Sequence, residues 1–335
     1  MAIGKWDGFK MPELILSALV FAAMCWFVDV GKLIEIISKT DIPLFIAAIF
    51  VYFSTTLLMS YRIRLILRAL GEKISFLDAF KSNIGGLIAS DFSPGRAGYF
   101  VTPVILSRIA GTPLDKGVVT IVAPQMVEFF IKAAGATAAI FLVAFAVPLI
   151  SQNSLFLWIG VSMMLSFCAA MWLALFYPPF LSFAKAFSFI PLVPEACSFV
   201  ATMQAHRQKV ASVALPIILI SVLVFIIKGL ECFLFAAALG IRLENLAVPP
   251  VVAFMLLQPL ISIFQFVPIP TIAGLGLSEG SAVVSMSLLG VAPEVAVAYV
   301  LLIRGGCIIA NSPGILFLSE ALFSGKKPSL SQIKR

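Results

Sequence analysis

The sequence predicts an all-α polytopic membrane protein, with about six full transmembrane helices plus two re-entrant helical hairpins in inverted repeats. Three observations lead there. The first is composition: 335 residues that are 61% hydrophobic and 12% charged, with mean hydropathy +1.10. A soluble domain carries about 25% charged residues. The second is a tract, Pro-x-x-Ala-Gly, that occurs once in each half, as Pro94-Gly95-Arg96-Ala97-Gly98 and as Pro270-Thr271-Ile272-Ala273-Gly274. Each copy interrupts a hydrophobic stretch, where a bilayer otherwise demands unbroken helix. The third is the distribution of Lys and Arg. No hydrophilic stretch is long enough for a separate soluble domain, so 1–335 reads as one membrane domain with repeat units at about 42–148 and 212–318.

A spanning helix needs about 20 apolar residues, and six segments meet that: 12–28, 42–61, 117–148, 154–177, 212–239 and 294–318. The first follows Lys5 and Lys10 and resembles a signal peptide. It ends Trp26-Phe27-Val28-Asp29 with no small-x-small cleavage site, so an uncleaved span is expected. Two further regions, 76–110 and 249–290, are apolar but broken in the middle by the repeated tract. Each fits a re-entrant hairpin of two half-helices, or a crossing plus a surface helix. Paired breaks in corresponding halves are a sequence pointer to a transport site at the bilayer midplane. The expected hairpin breaks are Pro94, Gly95 and Gly98 in one copy and Pro270, Gly274 and Gly276 in the other. Glycine permits the close packing that a buried break requires.

Basic residues accumulate on the cytoplasmic side of a membrane. The N-terminus, the linker from Arg62 to Lys81, the segment 178–210 and the C-terminal tail together hold 14 of them. The alternating loops hold three: Lys32, Lys39 and Arg242. Six spans plus two hairpins put every basic-rich segment on one side, with both termini cytoplasmic and the two repeats oppositely oriented. Eight spans is the alternative that also keeps the tail inside. The expected location is a bacterial or archaeal cytoplasmic membrane.

Charges inside apolar segments cost about 2.5–3.5 kcal/mol at a bilayer centre and so point to a cavity or a partner. At one and the same distance after each tract proline stands such a charge, Glu128 and then Arg304. Each lies about 16 Å along its expected helix, close to mid-membrane. Lys132 follows Glu128 by one turn, an i,i+4 pair. Lys228 and Glu231 form an i,i+3 pair, functional or merely packing. Arg304 has no local acidic partner, and Glu128 or Glu279 is the natural candidate. Arg96 lies in the first tract and Arg108 on the helix after it. Arginine suits bidentate phosphate binding, and a broken helix points N–H groups at an anion. The alternative for Arg108 is snorkelling to the interface. The substrate-binding candidates are therefore Arg96, Arg108, Glu128, Lys132, Glu279 and Arg304.

The five cysteines show no CxxC or metal-type spacing, and the single histidine, His206, excludes a His-based triad or multi-His metal site. No catalytic residue, metal or cofactor is expected, and nothing directs the chain to nucleic acid. No Gly-x-x-x-x-Gly-Lys-Ser/Thr motif is present, so transport driven by a bound nucleotide is not expected.

These motifs resemble the flippase-like family that includes the transmembrane region of lysylphosphatidylglycerol synthases, over about 42–318. Pro94-Gly95-Arg96-Ala97-Gly98-Tyr99 is similar to the family's first motif, with Tyr99 where glutamate is usual. Glu128 matches its intramembrane acid, followed here by Phe129 where arginine is frequent. Ala273-Gly274-Leu275-Gly276-Leu277-Ser278-Glu279 matches the second motif, and Arg304 the final arginine. The resemblance implies translocation of a lipid between leaflets, or a role beside lipid synthesis.

The expected function is therefore a flippase-like transporter moving a lipid or lipid-linked anionic substrate through a midplane polar site. Two alternatives stay open. One is an accessory membrane subunit of a lipid or glycolipid pathway, such as hopanoid or polyprenyl-lipid synthesis, with biosynthetic enzymes as partners. The other is a lipid-phosphate enzyme.

Overall fold

A computed structural model describes residues 29–146, 193–243, 248–263 and 277–323, with isolated positions between 162 and 179. The expected spans 12–28 and, almost wholly, 154–177 lie outside the described residues, as do Pro270, Gly274 and Gly276. The described chain is helical and contains no strand. In order the helices are α1 (Val30–Ser38), α2 (Ile42–Ala69), α3 (Phe76–Asp91), a 3-10 helix (Pro94–Val101), α4 (Thr102–Ala110) and α5 (Leu114–Ala146). Then follow α6 (Val193–Ala211), α7 (Ala214–Ala238), α8 (Pro250–Ile263), α9 (Leu277–Leu288), α10 (Pro293–Asn311) and α11 (Gly314–Phe323).

Four of these are long and apolar enough to cross a membrane: Ile42–Ala69, Leu114–Leu142, Ala214–Ala238 and Pro293–Asn311. Their ends follow ordinary helix chemistry. Asp29 and Asp41 each accept a backbone N–H at the start of α1 and α2, and Ser75 does so for α3. Such caps satisfy donors that a helix start leaves unpaired. At the end of α1, outside the apolar spans, Lys39 lies one turn from Glu35 and holds its carboxyl below the usual carboxylate range. Along α7 the exposed apolar residues Leu215, Leu219, Val222 and Ile226 recur at helical spacing and form one outward stripe.

Two expected boundaries change. The second span does not stop at residue 61. Helix α2 continues to Ala69, because Ile63, Ile66 and Leu67 remain fully buried beyond it. Arg62 is therefore a helix residue with 4% exposure, not part of a solvated basic linker. The last span, 294–318, is divided into α10 and α11 at Ser312-Pro313. Proline has no N–H for the helix ladder and its ring clashes with the preceding turn.

The helices pack around α2 and α7, which run antiparallel. The N–H of Asp41 donates to the Ala238 carbonyl at 2.9 Å. The Phe45 and Phe235 rings lie 5.7 Å apart, Lys228 sits over Tyr52, and Arg62 reaches Ser221. Position numbers rise along α2 as they fall along α7. Around this pair the contacts come in matched sets. Helix α2 packs on α3 as α7 packs on α8; α3 on α4 as α8 on α9; α4 on α5 as α9 on α10. Helix α5 crosses to α8, while α10 and α11 cross to α3. The buried cores are matched too. One contains Leu106 and Ala123; the other contains Ala282 and Tyr299, their counterparts under the shift that carries Pro94 to Pro270.

The first broken region, 76–110, is two helices joined by the 3-10 turn, with α4 packed against α3. Small residues make that approach possible. A Cβ on Gly86 would strike the Thr102 hydroxyl, and one on Gly98 the Ala89 carbonyl. The Gly98 N–H donates to Ser93 Oγ at 2.6 Å and ties the break to the end of α3. We expect Gly98→Ala to cost about 1–3 kcal/mol, the usual scale of overpacking. Gly305→Ala, with no described atom within 4 Å of its new Cβ, should leave stability unchanged or raised. Thermal unfolding of the detergent-solubilised protein checks both, and equal effects would contradict the packing described.

Candidate functional site

The charges buried among the long helices form two connected networks. The first joins α2, α5 and α7. Arg62 Nη2 lies 2.7 Å from Glu128 Oε1, and its Nη1 donates to Ser221 Oγ at 2.8 Å. Lys132 Nζ lies 3.6 Å from the other oxygen of Glu128. The Arg62 and Glu128 side chains are 5% and 16% exposed, so solvent screens the pair little. A planar guanidinium can serve a carboxylate and a hydroxyl at once, which an ammonium on a flexible stem does less well.

Beside this pair is a cavity lined by Glu128, Lys132, Ser221, Lys228 and Gln258, with Ile131, Val224 and Phe225 as its apolar wall. The cavity is small and partly open, with room for about one or two water molecules. Glu128 and Lys132 stand near the middle of α5, and Lys228 near the middle of α7.

The second network surrounds the first helix break. Arg96 holds φ +58°, a left-handed conformation uncommon outside glycine. Its Nη2 lies 2.9 Å from Asp91 Oδ1 and its Nε donates to Ser90 Oγ. Asn311, fully buried at the end of α10, donates to Asp91 Oδ2 at 2.7 Å and to the Tyr52 hydroxyl at 2.8 Å. The Tyr52 ring in turn carries the Lys228 ammonium at 5.0 Å from its centroid. Tyr52 thus joins the break to the cavity. Cation–π contacts of this kind are worth about 2 kcal/mol when desolvated.

The remaining candidates are placed as follows. Tyr99 donates to Asn83 Oδ1 at 2.9 Å, and the Asn83 amide donates to Thr56 and Ser60 of α2. Arg108 donates to the Ala321 carbonyl at 2.7 Å, joining the end of α4 to α11. Pro94 and Gly95 open the 3-10 helix. Glu279 belongs to the first turn of α9, and its side chain lies outside the described residues. Arg304 is half-buried on α10. Glu128 is held by Arg62 and by Lys132, the i,i+4 neighbour that the sequence paired with it. Lys228 and Glu231 turn to different contacts: Lys228 to Tyr52, and Glu231 to the Cys307 thiol at 3.8 Å. Arg62, Ser221, Lys228, Gln258 and Asn311 are the residues that the sequence candidates lacked. For Arg62 a signal existed: Ile63, Leu65, Ile66 and Leu67 continue the apolar run around it. No group of three or more His, Cys, Asp or Glu suited to a metal occurs among the described residues.

Removing one member of a buried ion pair leaves an uncompensated charge and costs about 3–5 kcal/mol. Arg62→Ala should lose stability on that scale, and Arg62→Ala with Glu128→Ala should recover much of the loss. Apparent melting temperatures of the four species in a double-mutant cycle read the coupling. Additive losses would show that the pair is not coupled.

A profile of the lysylphosphatidylglycerol synthase TM region matches residues 13–309. That range takes in both sides of the cavity and most of α10. No curated protein matches the chain. With four helices long and apolar enough to span and a match over most of its length, the chain is an integral membrane protein that belongs to the lysylphosphatidylglycerol synthase TM-region family.

Proposed function

We propose that the protein carries a lipid between the leaflets of its membrane through the polar site between α5, α7 and α8, using two oppositely oriented repeats. The observation that carries this reading is the antiparallel pairing of α2 with α7. Tyr52 and Lys228 touch each other, and their separation in the chain equals that of Pro94 and Pro270, the heads of the two tracts. Positions that are equivalent and also in contact lie at a two-fold axis. Equivalent helices that run antiparallel need that axis perpendicular to them, hence in the membrane plane. The same offset carries Glu128 to Arg304 and maps the contacts among α2, α3, α4 and α5 onto those among α7, α8, α9 and α10. Inverted repeats with a central polar site are the architecture in which one half rocks against the other to alternate access.

Regions 76–110 and 249–290 are the re-entrant hairpins in this reading, with the 3-10 helix as the tip of the first. Glu128, Lys132, Glu279 and Arg304 supply the polar path, and Arg96 with Asp91 fastens the first tip to α10 through Asn311. Ile131, Val224 and Phe225 form the apolar side of the cavity, facing its polar residues.

The test is translocation in liposomes. Purified protein should move a fluorescent phospholipid between leaflets, read by external dithionite quenching. Glu128→Gln and Arg304→Ala should abolish the movement while circular dichroism and size-exclusion profiles stay native. Movement at the wild-type rate in both folded variants would refute the proposal.

A further inference from the structure

Glu231 is an acid that the proposed lipid path does not use. It stands in the second half of α7 at 2% exposure. Its one hydrogen-bond partner among the described residues is the Cys307 thiol, 3.8 Å from Oε1. A thiol is a weak donor. No cation among the described residues stands at ion-pair distance from Glu231. Lys228, one turn back on α7, and Arg96, on the 3-10 helix, act on it from further away. An ionised carboxylate buried without an ion pair is so costly that the group holds a proton instead.

Packing does not require an acid at this place. Under the shift that relates Pro270 to Pro94, the counterpart of Glu231 is Thr55. Thr55 is equally buried, and its hydroxyl donates to the Tyr52 carbonyl on its own helix. A neutral side chain thus fills the equivalent position in the other half. An acid inside a membrane helix where a neutral residue packs points to proton transfer.

A cation stands ready to replace that proton. Lys228 precedes Glu231 by three residues, close enough to share a helix face, yet its ammonium rests on the Tyr52 ring. The other acid near Lys228 is Glu128 of α5, and Arg62 and Lys132 already hold both of its oxygens. The remaining groups around Glu231 are the Cys232 thiol of α7 and, on α10, the Tyr299 phenol. Asp91 and Arg96 stand behind Cys307. Helix α8, packed on α7, carries no titratable side chain. Lys228 also lines the small, partly open cavity, which has room for water.

We infer that Glu231 is the proton-binding site of the transport cycle, and that its charge decides where Lys228 sits. With the proton bound, Glu231 is a neutral acid beside Cys307, and Lys228 rests on Tyr52. When the carboxyl gives its proton to water, Lys228 turns from the ring to the carboxylate and pairs with it. One proton leaves Glu231, and the ammonium keeps all of its own. Tyr52 then loses its cation, and Tyr52 is joined through Asn311 and Asp91 to Arg96 at the first helix break. The inference deepens the transport reading and rests on it for the lipid that moves; the proton site rests on α7 and α10.

Infrared difference spectroscopy of the full chain in lipid, titrated from acid to alkaline pH, tests the proton site. The wild type should show a protonated-carboxyl C=O band that disappears on titration and is missing from Glu231→Gln. Cys307→Ala keeps the acid and removes its thiol donor, so it should move that band to higher frequency. In liposomes with equal pH on both sides, the wild-type rate of lipid movement should change several-fold across the same titration. Glu231→Gln should lose that change. Lys228→Gln, which keeps the acid and removes the ammonium, should keep the band and also lose the change in rate. An undiminished band or the wild-type pH profile in folded Glu231→Gln would overturn the inference, and so would the wild-type pH profile in folded Lys228→Gln. Should Glu231→Gln fail to fold, a band that Cys307→Ala leaves unmoved has the same effect. The Glu231 band without lipid movement at any pH sinks the transport reading alone. Lipid movement without the Glu231 band sinks this inference alone.

Discussion

The contact between Arg62 and Glu128 holds the centre of the molecule together. It joins α2 to α5 and, through Ser221, to α7. None of these helices can bring its charge into an apolar interior alone. Each is tolerable because the others are present, so folding of the three is a shared event rather than three insertions. The same contact shapes the cavity. Arg62 takes one oxygen of Glu128 and Lys132 lies against the other, so the carboxylate on the cavity wall is shared between two cations.

The second consequence is mechanical. The first helix break is fastened by Arg96 to Asp91, and Asp91 is fastened by Asn311 to Tyr52. Lys228 rests on the face of that ring. Movement of the ammonium off the ring therefore alters one end of a chain whose other end is the break itself. The left-handed Arg96 backbone adds strain at the same point, and local strain of this sort persists only where surrounding contacts fix it.

Much of the arrangement is legible in the sequence because membrane helices obey a simple length and polarity rule. Ala214–Ala238 and the start of α2 follow it closely. The depth of Glu128 and Arg304 is also visible, since charge in an apolar run stands out. Arg62 is not, because an arginine near the end of a span looks like one more positive-inside residue. Its role depends on a tertiary partner 66 positions away. Pro313 is hidden for the converse reason: its neighbours Ile315, Leu316 and Leu318 continue the hydropathy that the proline interrupts. Lys228 reads as half of a local ion pair with Glu231, yet the ring of Tyr52 competes for it. Spacing along one helix cannot reveal a contact that depends on another helix's rotation.

Under the proposed inverted-repeat architecture, the meeting of Tyr52 with Lys228 also bears on ancestry. In an assembly of two identical, separately made halves, a residue on the two-fold axis faces its own copy. Lysine would then oppose lysine between two apolar helices, and tyrosine would oppose tyrosine with no cation to hold. Joining both halves in one polypeptide lifts that restriction, because the two copies of the position can mutate independently. The mixed pair is an arrangement that a fused gene can encode and a symmetric homodimer cannot.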